Sequence, residues 1–435
     1  MGQGTLLAHG LGFVPGRARG VLRRSVTNPD SDILLLTQDQ LGSVSVLPAG
    51  ILLLDGAPFS HAAIGLLGLG VPTLILPGAQ AVALREGVEV LLDGGNGRLW
   101  LATGLETVGS PLPAPPVGGD VVSRDGVAVF LRASVRSVAA AQWARAQGSA
   151  AIGLVRTEFL EPAGGRAPDA DFYHHAFTSL CESAAPLEVT FRLLDIASDK
   201  LPAWLPVTPA MRSPLGLQGI RLFGSGQVAR VVDGQLTAIG GLSDVGRVRI
   251  LLPYLTRYEE VHYWVERIRK RLPSAVPIGA MVETPAGALD LERWFEWVDF
   301  IAIGCNDLMQ CLFAADRDRG ELCAYLDPYA PLLYRFFAHM ARCAGARLSE
   351  VQLCGVLPQL EGVLPLLLGL GYRAFSVDAG QIPWLARTVR ATSVMEAADL
   401  ARAVCAAKET AEVLALLRRP ATHAGPFLDG GVHWH

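Results

Sequence analysis

Beyond residue 120, eight short apolar runs recur, each separated from the next by a helical stretch or a longer loop, and this alternation constrains the fold most. The runs span 127–133, 151–155, 189–194, 248–254, 278–283, 299–304, 351–355 and 374–377. Strands alternating with helices build parallel sheets, and eight of them suffice to close a (β/α)8 barrel. The intervening segment 258–271 carries an apolar stripe and a Lys/Arg-rich end, the pattern of an amphipathic helix. Segments 395–407 and 409–417 read as terminal helices.

The first hundred residues follow a different plan. Apolar runs at 33–36, 51–54, 73–76 and 88–92, the last followed by Asp93-Gly94-Gly95-Asn96-Gly97, predict a compact sandwich-like α/β domain with few helices. Residues 62–79 carry no charge, yet Gly65, Gly68, Gly70, Pro72, Pro77 and Gly78 interrupt them. A helix over 61–69 and a buried strand over 73–76 explain them without a membrane span. Four prolines fall between Pro111 and Pro116, predicting an extended, semi-rigid linker. The expected organisation is a first domain at 1–105, a linker at 106–119, a barrel at 120–420 and a loose tail at 421–435.

Charge narrows the function. Lys and Arg number 37 against 41 Asp and Glu, with no long block of one sign, which argues against nucleic acid or an anionic membrane as partner. Seven cysteines without a CxxC pair favour a reducing compartment over a disulfide framework or thiolate zinc site. The N-terminal sixteen residues lack the basic and apolar regions of a secretory signal, so a cytoplasmic enzyme acting on a small molecule is expected.

A barrel of this kind gathers its functional residues just after the strands. Strand two runs into Arg156-Thr157-Glu158, strand three contains Arg192 and reaches Asp195, and strand five ends at Glu283. Strand six is followed by Asn306-Asp307 and, further along, Arg317, while strand seven carries Cys354. Three arginine forks suit a small, multiply anionic substrate. Glu283 and Asp307 are hard oxygen ligands of the type Mg²⁺ takes. The Cys354 thiol can exchange a proton.

In the first domain, His61 stands at a predicted helix start, after a glycine turn and the Ser60 cap. Free backbone N–H groups there would stabilise a phosphoryl group on the imidazole. A structural histidine bonded to a carbonyl is the competing reading.

These motifs, in this order, resemble the phosphoenolpyruvate (PEP)-utilising enzymes. Asp55-Gly56-Ala57-Pro58-Phe59-Ser60-His61-Ala62-Ala63-Ile64 with Gly70-Val71-Pro72 resembles their swivelling phosphohistidine domain. Gly153 to Leu160, Leu194 to Lys200, Ser213 to Gly216, Met281 to Ala286, Ile303 to Leu308, Ala315 to Arg317 and Cys354-Gly355 resemble their PEP-binding TIM barrel. RTEFL, LDIxxDK and 366–377 are most similar to enzyme I of the PEP:sugar phosphotransferase system. The resemblance implies that Arg156, Arg192, Asn306 and Arg317 bind PEP and that Glu283 and Asp307 hold Mg²⁺. It also implies that His61 takes the phosphoryl group, that Cys354 protonates the leaving enolpyruvate, and that the barrel forms a homodimer.

The chain also departs from the pattern. Only a few residues separate Val26 from Ile33, where enzyme I inserts its carrier-docking helical domain, and no ATP-grasp domain precedes His61. Ala57, Phe59, Ala197, Ser198 and Gln218 replace usual family residues, and Gly355-Val356-Leu357-Pro358-Gln359 lacks the acids that usually follow the cysteine. Three readings therefore stand: a PEP-dependent phosphotransferase with an unknown acceptor protein, half of a split PEP synthase or pyruvate phosphate dikinase with an ATP-grasp subunit as partner, or a non-catalytic PEP/pyruvate sensor.

Overall fold

A computed structural model describes residues 5–44, 46–81, 84–102, 115–242 and 247–418. Residues 106–114 of the expected linker and the expected tail at 421–435 lie outside them.

The N-terminal part is built on eight strands: β1 (Leu6–His9), β2 (Leu11–Val14), β3 (Arg17–Arg23), β4 (Asp32–Thr37), β5 (Gly50–Leu54), β6 (Thr73–Leu76), β7 (Glu89–Asp93) and β8 (Arg98–Leu101). They form one sheet in the order β1-β8-β7-β3-β4-β5-β6-β2, with β3 to β6 parallel and the other pairs antiparallel. β1 and β2 are separated only by Gly10 yet occupy opposite edges, so the sheet curls over on itself. A side chain at Gly10 would put its Cβ 2.2 Å from the Ile75 carbonyl, so the crossing needs glycine.

Successive side chains on a strand point to opposite faces. Ile33, Leu35, Leu52, Leu74 and Leu76 pack inside the curl with Val90, Leu92 and Leu99. Leu34, Leu36, Ile51, Leu53 and Ile75 pack on the other face, in the same core as Phe59, Ala63 and Leu66. Burial on both faces explains why β4 to β6 read as continuous apolar runs. β3 was illegible because its arginines bond across the sheet: Arg17 Nε lies 2.7 Å from Asp93 and Arg19 Nε 2.9 Å from Glu89. Helix α1 (His61–Leu67) is capped by Ser60, whose Oγ accepts from the Ala63 N–H at 3.2 Å. It stops two residues short of the expected end, with Gly68 as its C-cap.

The second part is a closed barrel of eight parallel strands, as the alternation predicts: β9 (Phe130–Val135), β10 (Ile152–Arg156), β11 (Val189–Arg192), β12 (Val248–Leu255), β13 (Ile278–Val282), β14 (Phe300–Gly304), β15 (Val351–Cys354) and β16 (Ala374–Asp378). β9 begins later than expected, because Ala128 pairs with Val122 in an isolated antiparallel bridge before the barrel. Leu154, Leu251, Met281, Phe300, Ala302 and Cys354 form an interior cluster. Gly279 makes room for the Phe300 ring, which a Cβ there would meet at 2.4 Å. Among the described residues no helix is long and apolar enough to cross a membrane.

Candidate active site

A cavity of about 420 Å³ occupies the C-terminal mouth of the barrel, with α1 of the N-terminal part contributing to its wall. The eight residues singled out from the sequence all line it: Arg156, Arg192, Glu283, Asn306, Asp307, Arg317 and Cys354 from the barrel, and His61 from α1.

β10 and β11 end side by side, so Arg156 and Arg192 are paired in register. Thr157 locks this corner: its hydroxyl donates to the Arg192 carbonyl at 2.7 Å and accepts from Gln235 Nε2 at 3.0 Å. Gln235 Oε1 accepts in turn from the Leu194 N–H at 2.9 Å, so a wholly buried amide ties strand ends to a helix. Glu158 then faces three cations, Arg192 at 2.5 Å, Arg156 at 3.1 Å and Lys200 at 3.4 Å. Burial opposes its ionisation, but Arg192, Lys200 and Arg156 together hold its carboxyl well below the usual range. Asp195 adds a second carboxylate, bonded to Lys200 and 2.9 Å from Arg192. The cations are thereby fixed in place before any ligand arrives, which is the condition for electrostatic preorganisation.

Across the mouth the balance reverses. Glu283, 2% exposed, accepts from the Tyr254 N–H at 2.9 Å. Its carboxyl is pushed up to about 8 by burial first, then by the charges of Asp307 and Asp195. Asp307 lies in the first turn of the helix Cys305–Phe313, with Oδ1 3.3 Å from Arg317. Carboxylates crowded in a buried site form a place where a divalent cation is electrostatically welcome. The described residues contain no cluster of three or more metal-ligating side chains. Mg²⁺ needs only one or two carboxylates with substrate oxygens and water, so Glu283 and Asp307 fit it.

Cys354 ends β15, 2% exposed, and burial pushes its thiol up to about 12. It therefore stays protonated at neutral pH. The loop after it, short of acids, is held by apolar packing and amides. Val356, Leu357 and Pro358 are buried, and Gln359 Nε2 donates to the Gly355 carbonyl at 2.8 Å. Asn306 Oδ1 accepts from the Val356 N–H at 3.0 Å.

His61 meets the barrel through three residues. Its Nε2 lies 2.5 Å from Asp199 Oδ2 and 3.0 Å from an Arg317 terminal nitrogen. Its Nδ1 lies 3.3 Å from Asp318 Oδ2, and its backbone N–H donates to Asp318 Oδ1 at 3.0 Å. The expectation of a free N–H at this helix start is thus corrected, since Asp318 takes the one on His61. The Phe59 ring is wholly buried and only its carbonyl takes part, accepting from Arg317 at 3.2 Å. Sequence reading gave no role to Glu158, Asp195, Asp199, Lys200 or Asp318. The first four fall within segments that already carried signals; Asp318 had only its position beside Arg317.

Residues 119–394 match the PEP-binding domain of the PEP-utilising enzymes. The phosphoenolpyruvate-protein phosphotransferase of Haloferax volcanii is 30% identical over 387 residues, covering 85% of this chain and 68% of the relative. That of Bacillus subtilis is 29% identical over 385 residues, covering 83% and 67%. The multiphosphoryl transfer protein of Xanthomonas campestris is 29% identical over 395 residues, covering 84% of this chain and 46% of the relative.

Proposed function

Because the chain belongs to the PEP-utilising enzymes, we propose that it transfers the phosphoryl group of PEP to His61, releases pyruvate, and passes the group to a further acceptor. The carrying observation is that His61 lines the same cavity as Arg156, Arg192, Arg317, Glu283, Asp307 and Cys354, with its Nε2 3.0 Å from Arg317.

In this scheme Arg156, Arg192 and Arg317 bind the phosphate and carboxylate of PEP, with Asn306 assisting. Glu283 and Asp307 hold Mg²⁺, which when bound neutralises charge on the phosphoryl oxygens. Asp199 moves off Nε2 so that its lone pair can attack phosphorus. The Nε2–P bond forms as the ester P–O bond breaks, and that electron pair passes to the enolate of pyruvate. Cys354 gives its proton to the methylene carbon, and the thiolate is reprotonated from water. A thiol buried this deeply remains a proton donor until the carbanion-like carbon develops beside it.

The N-terminal part would act as a swivelling phosphohistidine domain spanning 1–105, joined by the linker at 106–119 to a barrel spanning 120–420. The resemblance supports a homodimer and a cytoplasmic setting, and a phosphoryl-accepting protein is the expected second partner. Pyruvate release from limiting PEP tests the half-reaction: one equivalent per chain, in a burst requiring Mg²⁺, is expected. No pyruvate despite PEP binding would contradict the reading.

A further inference from the structure

Two carboxylates hold the His61 ring, one at each nitrogen, and they are not equivalent. Asp199 touches Nε2 alone, at 2.5 Å. Asp318 touches the same residue twice, accepting from the backbone N–H at 3.0 Å and lying 3.3 and 3.4 Å from Nδ1 through its two oxygens. A side chain bonded to both the main chain and the ring of its partner fixes where the ring can point. Asp318 is itself held by its own backbone: its N–H donates to Asp316 Oδ1 at 3.0 Å and its carbonyl accepts from Gln38 Nε2 at 3.5 Å.

With Asp199 withdrawn from Nε2, Arg317 and Asp318 together decide which nitrogen keeps the proton of a neutral ring. A guanidinium has donors and no acceptor, so its terminal nitrogen, 3.0 Å from Nε2, can bond only to an Nε2 lone pair. Asp318 can bond only to a protonated Nδ1. The Nδ1–H form satisfies both but sets the Nε2 lone pair against Asp199 at 2.5 Å, so it requires Asp199 to withdraw, as attack on phosphorus also does. The Nε2–H form satisfies Asp199 but sets a proton against Arg317 and a lone pair against Asp318. The charged groups at the ring are then Asp199 and Arg317 at Nε2 and Asp318 at Nδ1, with Lys200 reaching it through Asp199.

We propose that Asp318 is the positioning residue of His61: it retains the proton on Nδ1, leaves Nε2 as the attacking nitrogen, and balances the ring once Nε2 carries phosphorus. The assignment rests on His61 being the phosphoryl acceptor. As Nε2–P forms and the ester P–O bond breaks, the neutral ring becomes cationic, its Nδ1 proton staying in place against Asp318. A carboxylate that orients a histidine and stabilises its cationic form is an established catalytic arrangement in other enzymes. Here it bridges two parts of the chain, with Asp318 on a barrel loop and His61 on α1. The nucleophile is therefore prepared only where the N-terminal part meets the barrel.

The experiment uses the full chain with ¹⁵N-labelled histidine, in wild type, Asp318→Ala and Asp318→Asn, with His61→Gln identifying the His61 ring signals. Long-range ¹H–¹⁵N spectra report which nitrogen is protonated, and PEP-dependent labelling is timed alongside PEP binding. In wild type, the neutral ring should carry its proton on Nδ1 and none on Nε2. In Asp318→Ala the neutral ring should shift towards Nε2–H, with labelling slowed roughly 10- to 100-fold and PEP affinity within about twofold. Asp318→Asn, which keeps an acceptor oxygen without charge, should retain the tautomer and still label slowly. An unchanged tautomer and labelling rate in Asp318→Ala overturns the proposal. If wild type takes no label, the phosphotransfer reading fails, and the spectra still decide whether Asp318 sets the tautomer.

Discussion

Arg317 stands 3.0 Å from His61 Nε2, 256 residues away in sequence, while also donating to the Phe59 carbonyl at 3.2 Å and facing Asp307 at 3.3 Å. One side chain thus joins His61, the loop before it and the carboxylate side of the mouth. Arg317→Ala should reduce the rate of PEP-dependent labelling at least about 100-fold, the scale of removing one preorganised donor. Arg317→Lys keeps the charge but not the planar fork, and should recover only a small part. Quench-flow labelling at saturating PEP reads both; a rate unchanged in Arg317→Ala would remove this residue from the mechanism.

Gly304 leaves the space that Glu283 fills: a Cβ there would lie 2.5 Å from Glu283 Oε1 and 2.6 Å from its Cγ. Gly304→Ala should displace this carboxylate and raise the Mg²⁺ concentration needed for half-maximal activity roughly 10- to 100-fold, as loss of a ligand-orienting contact does. Magnesium titrations of pyruvate release check it. Equal requirements in variant and wild type would separate Glu283 from metal binding.

Burial makes two statements about Cys354. Its thiol, pushed up to about 12, should react with iodoacetamide at pH 8 far more slowly than a free cysteine, read by peptide mass mapping. Cys354→Ala should slow the burst of pyruvate roughly 10²- to 10⁴-fold, the contribution of a general acid, with PEP binding retained.

Glu158 is the electrostatic centre of the cationic wall, and its removal should be felt in stability. Glu158→Gln should cost about 3–5 kcal/mol at pH 7, the penalty for breaking a buried ion-paired network. Its folded carboxyl is depressed below the unfolded value of about 4.3, so its contribution is fully present above that pH and is lost as pH falls through the lower folded value. The difference between wild type and variant in urea denaturation should therefore shrink below about pH 4. A constant difference from pH 7 to pH 3 would contradict the assignment.

How far the sequence could be read follows from what each element buries. Barrel strands apolar on both faces, such as β13 and β14, announce themselves as runs, and polar residues at their ends mark the mouth by position alone. β3 hid because cross-strand ion pairs put arginines in its middle, and β1 and β2 because His9, Gly10 and Gly12 break up their apolar run. Arg156, Arg192, Glu283, Asn306, Asp307, Arg317 and Cys354 were legible as strand-end chemistry. Asp318 was not, because its partner His61 lies 257 residues away and only the meeting of two folded parts brings them together.

The central claim is that His61 accepts the phosphoryl group of PEP. Wild type and His61→Ala should be incubated with PEP and Mg²⁺, then measured by intact mass under alkaline quench and mapped by fragmentation. The account predicts one acid-labile phosphoryl group on wild type, located at His61, and none on the variant. A phosphoryl group on another residue, or none on wild type while PEP binds, would contradict it.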